Sequence, residues 1–255
     1  MTPLLEVRGA VKSYGAVRAL DGADLTVDDG EVVAVLGDNG AGKSTLIKAI
    51  SGVHALDAGE LWLGGRRCSF RSPIEARHAG IETLHQDLGL FDNLSAVANF
   101  RIGRELCRPR WLGRLALLRE RAMEDDWVRQ LERLAVHRVG PRQEVGLMSG
   151  GQRQAVAVLR TVAFAQRLVI LDEPTAALGL RESAQVLDLV RRLPERGVAV
   201  ILISHNLEHV AQVADRAVVL RQGRTVGEAA PTAANHEALV SMIVGAVPSP
   251  AARTT

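Results

Sequence analysis

Lysine, aromatic side chains and cysteine are all scarce here, and each scarcity narrows what the protein is. Lysine occurs only at Lys12, Lys43 and Lys48 of 255 residues, so arginine carries nearly all the positive charge. The net charge of +2 is too small to be the electrostatic footprint of a nucleic-acid binder. Aromatics make up 3% of the chain, so aliphatic side chains must build the core. Cys68 and Cys107 lie far apart and match no metal-ligand spacing. The simplest reading is a reduced, intracellular chain. No apolar run is long enough to span a bilayer. The first residues, MTPLLEVRGAVKSYG, lack the basic-then-apolar order of a signal peptide. Any membrane attachment is therefore expected to run through a partner. Hydrophobic residues are 47% and charged residues 24%, which suits a soluble domain with a sizeable core.

The most informative stretch runs from Glu31 to Ile50. Val32 to Leu36 is an unbroken apolar run rich in β-branched residues, the pattern of a strand buried on both faces. Gly37, Asp38, Asn39, Gly40, Ala41, Gly42, Lys43 and Ser44 follow, matching G-x-x-x-x-G-K-[ST]. Leu46, Ile47, Ala49 and Ile50 then recur at helical spacing. The chemistry accounts for these residue types. Backbone N–H groups must point at a concentrated negative charge, and side chains would block their approach. The helix that starts here adds unpaired N–H groups and a positive dipole end. Lys43 suits the β- and γ-phosphates, Ser44 a Mg²⁺ ion, and Thr45 a more internal phosphate.

Two further apolar runs end in polar residues. Leu168 to Leu171 leads to Asp172 and Glu173, and Val198 to Ile203 leads to Ser204, His205 and Asn206. In a parallel sheet these ends share one edge with the phosphate loop. Asp172 is then placed for Mg²⁺, and Glu173 to orient and polarise an attacking water. Ile81 to Leu84 reads as a short strand ending at His85-Gln86-Asp87. Between these strands, Ser149, Gly150, Gly151 and Gln152 form a small-residue loop that Ser149 caps into a helix, a second possible anion site.

Leu4 to Ala10 and Ala23 to Val27 read as strands flanking a turn-rich Ser13-Tyr14-Gly15. Tyr14 fits either a base-stacking platform or a half-buried strand end. Ser72, Pro73 and Glu75 give a helix start with a capping-box pattern. From about Leu94 to Ala135 only helical spacing is evident. Arg101, Arg104, Arg108, Arg110, Arg114, Arg119 and Arg121 make that stretch basic. Its bland reading is a solvated helical face, and its sharper one a contact with a membrane surface or acidic partner. Trp111 and Trp127 are expected to pack rather than to serve a site. Ala217 to Val226 reads as a hairpin and Glu237 to Val244 as a last helix.

Taken together and in order, these motifs resemble the ATPase subunit of an ATP-binding cassette (ABC) transporter, over roughly Leu4 to Gly245. The resemblance implies an α/β fold: a P-loop NTPase core with a mixed sheet, an N-terminal antiparallel β subdomain and an inserted helical subdomain. It implies one domain over 1–245, with the helical insertion at about 90–160 and a disordered tail over 246–255. It implies ATP and Mg²⁺ as ligands. Gly37 to Thr45 are similar to the Walker A loop, Asp172 to the Walker B acid and Glu173 to the catalytic glutamate. Gln86 resembles the Q-loop glutamine that touches Mg²⁺, and His205 the switch histidine at the γ-phosphate. Tyr14 fits the aromatic that stacks on adenine. Ser149, Gly150, Gly151 and Gln152 resemble the signature that binds the γ-phosphate held by the opposite subunit. The implied assembly is a homodimer with two ATP molecules sandwiched head to tail. It sits on the cytoplasmic face of the inner membrane through permease subunits, indirectly serves a solute-binding protein, and does not bind nucleic acid.

The sequence departs from the family pattern at Met148, where leucine is usual, a volume-conserving change. It departs again at Gly179, which takes the place of the usual D-loop aspartate. Gly37 to Gly40, Leu84 to Leu88 and Met242 to Gly245 are similar to importers of monosaccharides such as ribose, xylose or fructose. Many of those carry two fused cassettes; this sequence shows one, which leads to the expectation of a homodimer. An importer of another solute such as amino acids, and a non-transport ABC ATPase, stay open as alternatives.

Overall fold

The structure is a computed structural model describing residues 2–108, 117–134, 139–176 and 178–245. Arg110, Trp111, Arg114 and the expected tail over 246–255 lie outside the described residues.

The chain opens with a hairpin of β1 (Leu5–Tyr14) and β2 (Val17–Val27). β3 (Val32–Leu36) leads through the glycine loop into α1 (Lys43–Ile50). β4 (Ala58–Leu63) and β5 (Arg66–Cys68) follow, then α2 (Pro73–His78) and β6 (Ile81–Leu84). α3 (Ala96–Arg101), β7 (Cys107–Arg108), β8 (Leu117–Leu118), α4 (Glu120–Leu134) and α5 (Gly150–Phe164) make a mainly helical middle. β9 (Leu168–Asp172), α6 (Leu180–Arg192), β10 (Ala199–Ile203) and α7 (Leu207–Val213) restore the strand–helix alternation. β11 (Arg216–Arg221), β12 (Arg224–Ala229) and α8 (His236–Val244) close the chain.

One antiparallel sheet has the order β2-β1-β4-β5, and a second has the order β12-β11-β3-β10-β9-β6. In the second, β11, β3, β10, β9 and β6 run parallel and β12 returns antiparallel, so the sheet is mixed as expected. Every residue of β3, β9 and β10 is buried. Alternate side chains serve opposite cores, as a two-residue period dictates. Val33 and Val35 pack with Leu46, Ile47 and Ile50 of α1, whereas Val32, Ala34 and Leu36 belong to the cluster that holds α4 and α5. The register sets Ile203 beside both Val35 and Asp172, and Leu84 beside Leu171. All the polar strand ends noted in the sequence therefore reach one edge.

Three expectations change. The first strands are longer than their apolar spans, because Ser13 pairs with Arg18 and Tyr14 with Val17. The turn shrinks to Gly15-Ala16, and the Asp57 carboxylate holds the strand end by accepting from Ser13 N and Lys12 Nζ, both at 2.7 Å. The middle segment is not purely helical, since Cys107 pairs with Leu118 in a short ladder. Two of its arginines do not line a solvated face. Arg101 is ion-paired with Asp126, and Arg104 reaches across to Glu82 on β6. Trp127 packs as expected: it is fully buried, meets Phe100 edge-on at 5.4 Å, and donates from Nε1 to Val139 O at 2.9 Å.

Candidate nucleotide site

The phosphate loop sits tightly against its neighbours. A Cβ at Gly37 would lie 2.2 Å from Leu220 O, and one at Gly42 would lie 2.6 Å from Ala19 O. Both have positive φ, 147° and 107°, so glycine is required by space and by conformation. Gly223 N donates to Ala41 O at 2.9 Å, which braces the loop on the β11–β12 turn. Gly42 gives α1 no side-chain cap, so the first amides of that helix are left for an anion. Lys43 Nζ donates to Gly37 O at 2.6 Å and Asp38 O at 3.0 Å. The ammonium is thus held inside the loop's curve by weak neutral acceptors. A glycine-rich loop curved around a central ammonium fits a polyphosphate.

Asp172 ends β9 with only 8% of its surface exposed. Burial pushes its carboxyl above the ordinary range; the Glu173 charge pushes the same way, while Lys43 and Lys48 oppose it. Such a carboxyl is stabilised by any cation placed beside it. Glu173 adopts φ 51°, left-handed and unusual for a side chain of its size. Its N–H donates to Ile203 O at 3.0 Å, which fixes the turn against β10. Its Oε1 lies 2.9 Å from His205 Nδ1. Gln154, inside α5, donates to Pro174 O at 2.9 Å and ties that helix to the same turn.

A cavity of about 760 Å³ gathers Gly37 to Thr45, Gln86, Asp172, Glu173 and His205. Two groups of expected site residues are not in it. Tyr14 does not line this cavity; it meets His54 edge-on at 5.6 Å, with Lys12 Nζ 5.8 Å from its ring. Ser149, Gly151 and Gln152 line a different cavity of about 500 Å³, against Leu178 and Glu182. Ser149 and Gln152 form a reciprocal capping box there, at 3.2 and 3.0 Å.

Val17, Arg18 and Ala19 line the nucleotide cavity but were not singled out by sequence. The length of β2 was the missing signal. Arg160 was also missed. From α5 it donates to Leu88 O at 2.6 Å and Gly89 O at 2.9 Å, tying the segment after Gln86 to that helix.

The phosphate cradle, buried acid and strained glutamate at one sheet edge define a nucleotide-binding cassette. The chain belongs to the ABC transporter family, which it matches over residues 20–176. It is 46% identical to the fructose import ATP-binding protein FrcA of Rhizobium meliloti, covering 97% of this chain and 96% of that protein. It is 44% identical to the xylose/arabinose import ATP-binding protein XylG of Sulfolobus acidocaldarius, covering 89% and 88%. With the ribose import ATP-binding protein RbsA 1 of Rubrobacter xylanophilus it shares 45% identity over 96% of this chain but only 48% of that one. In structure it is similar to a nucleotide-free ATP-binding cassette from an ABC transporter, with TM-score 0.81 and 24% identity over 97% of this chain and 100% of that one. It is likewise similar to the ADP conformation of the cassette MJ1267, with TM-score 0.79 and 25% identity over 96% and 100%.

Proposed function

We propose that this chain is the ATP-hydrolysing subunit of an importer that takes up a monosaccharide. The observation that carries the catalytic half is the meeting of Lys43, Asp172, Glu173 and His205 around one glycine-floored cavity. Glu173 accepts the proton as water attacks the γ-phosphorus and the bond to the ADP oxygen breaks. His205 holds Glu173 and the γ-phosphate. Lys43 leaves its two carbonyls for the β- and γ-phosphates, which are stronger acceptors. Ser44, Asp172 and Gln86, which line the same cavity, would hold Mg²⁺, and the ion would supply positive charge against the phosphates. Tyr14 turns from His54 to stack on adenine. The signature residues, absent from this cavity, close over the ATP of a second copy. These roles support a single domain over 1–245 with its helical insertion at about 90–160.

The sugar half rests on the relatives, whose names specify fructose, xylose or arabinose, and ribose. Among the described residues no helix is long and apolar enough to cross a membrane. The path for the sugar therefore belongs to permease subunits, with this chain on their cytoplasmic face and a solute-binding protein beyond them. The test is uptake of labelled pentoses, hexoses and amino acids by cells carrying the wild-type chain or Glu173→Gln. Loss of one sugar supports the reading. Loss of an amino acid, or of nothing, overturns it.

A further inference from the structure

The family's D-loop aspartate is missing here, because Gly179 stands in its place. Gly179 is the N-cap of α6, with φ −70° and ψ 174°, ordinary extended backbone open to any residue. It supplies no side-chain cap. Its vacated space is filled by Glu182, three residues on in the first turn of the helix. Glu182 Oε2 lies 2.7 Å from where a Cβ at position 179 would be, and Glu182 Cδ lies 3.8 Å from it. Standard bond lengths put an aspartate's own carboxylate oxygens about 2.4 Å from its Cβ. A carboxylate oxygen of Glu182 thus lies beside the point from which an aspartate side chain at position 179 would start. Its side chain also borders the signature, with Cγ 3.9 Å from the Cβ position of Gly151, and it lines the cavity holding Ser149 and Gln152. The next residue outward, Leu180, is 92% exposed, so this corner faces away from the chain's own core.

We infer that Glu182 is a positioning residue that supplies, from one helical turn along, the D-loop carboxylate that Gly179 lacks. The inference rests on the two-copy site proposed above. Glu182 touches no nucleotide in its own chain; its carboxylate sets the D-loop and signature against the second copy. A purely structural reading would make it a first-turn acid that favours the helix dipole.

The experiment measures steady-state hydrolysis of Mg-ATP by the whole chain, with thermal unfolding of each variant. Glu182→Gln is expected to lower kcat at least about ten-fold while the KM for ATP stays within about two-fold, since misalignment rather than nucleotide binding is affected. Adding Gly179→Asp to Glu182→Gln returns the carboxylate and restores turnover. Adding Gly179→Ser to Glu182→Gln supplies a side-chain helix cap and recovers the unfolding temperature without the charge, and turnover stays low. Full turnover in Glu182→Gln, or equal rescue by serine and aspartate, overturns the inference and leaves the proposed function standing. A wild-type chain with no ATP hydrolysis at all overturns both.

Discussion

His205 Nδ1 lies 2.9 Å from Glu173 Oε1, joining the ends of β9 and β10 across the sheet edge. The imidazole is largely exposed and the carboxylate largely buried, so the pair points from the protein into the cavity. Glu173 reaches this position only through left-handed backbone. Strain of this kind persists where function holds it.

Replacing Glu173 separates those two demands. Glu173→Gln is expected to lower turnover by about 10²–10⁴-fold with ATP still bound. Glu173→Asn should be as inactive but more stable than Glu173→Gln by about 1 kcal/mol, because asparagine tolerates the left-handed conformation. Denaturant unfolding of the two variants decides it, and equal stabilities would remove the strain argument.

Asp172 gives a pH signature in the nucleotide-free protein. Burial raises its folded-state pKa above the unfolded value, so the folded state binds more protons across that interval. Its contribution is therefore full below the unfolded pKa and declines as pH rises through the interval. With a chelator present, Asp172→Asn should abolish that decline and unfold at higher temperature near neutral pH. A wild-type slope in the variant contradicts the assigned burial effect.

Lys43 is expected to matter for binding far more than for folding. Its neutral carbonyl partners cost little to lose, but a charged hydrogen bond to phosphate does not form without it. Lys43→Ala should weaken ATP binding about ten- to hundred-fold. Titration calorimetry checks this, and unchanged affinity would remove the role.

Trp127 tests the helical insertion. Trp127→Ala should cost about 3–5 kcal/mol through the cavity it leaves beside Phe100. Trp127→Phe should cost about 1–3 kcal/mol, chiefly by leaving Val139 O without its donor. Small losses in both would show that this packing is not cooperative with the rest.

The sequence was most legible where local pattern and tertiary role coincide. Val32–Leu36, Leu168–Asp172 and Ala199–Ile203 are buried on both faces, so their continuous apolar runs announce them. The Ser149 cap was equally plain, because its Gln152 partner is three residues away. Legibility failed where partners are distant. Ser13 and Tyr14 extend β1 because Asp57 holds Ser13 N, a contact 44 residues off. The β7–β8 ladder pairs only two residues per strand, too few to show alternation. At α2, Ser72 caps as expected, but Glu75 accepts from Arg71 N rather than completing the box. Arg160 reads as an ordinary helix-surface residue until its two carbonyl partners, over 70 residues back, are seen.

The most direct test of a site shared between two copies mixes two inactive variants. Lys43→Ala spoils the phosphate loop and Ser149→Arg spoils the signature, so each alone should hydrolyse almost no ATP. If the loop of one copy works with the signature of the other, mixed dimers hold one intact site. Random pairing then returns roughly a quarter of wild-type turnover. No recovery on mixing would contradict the account, because it would place both motifs in the site of a single chain.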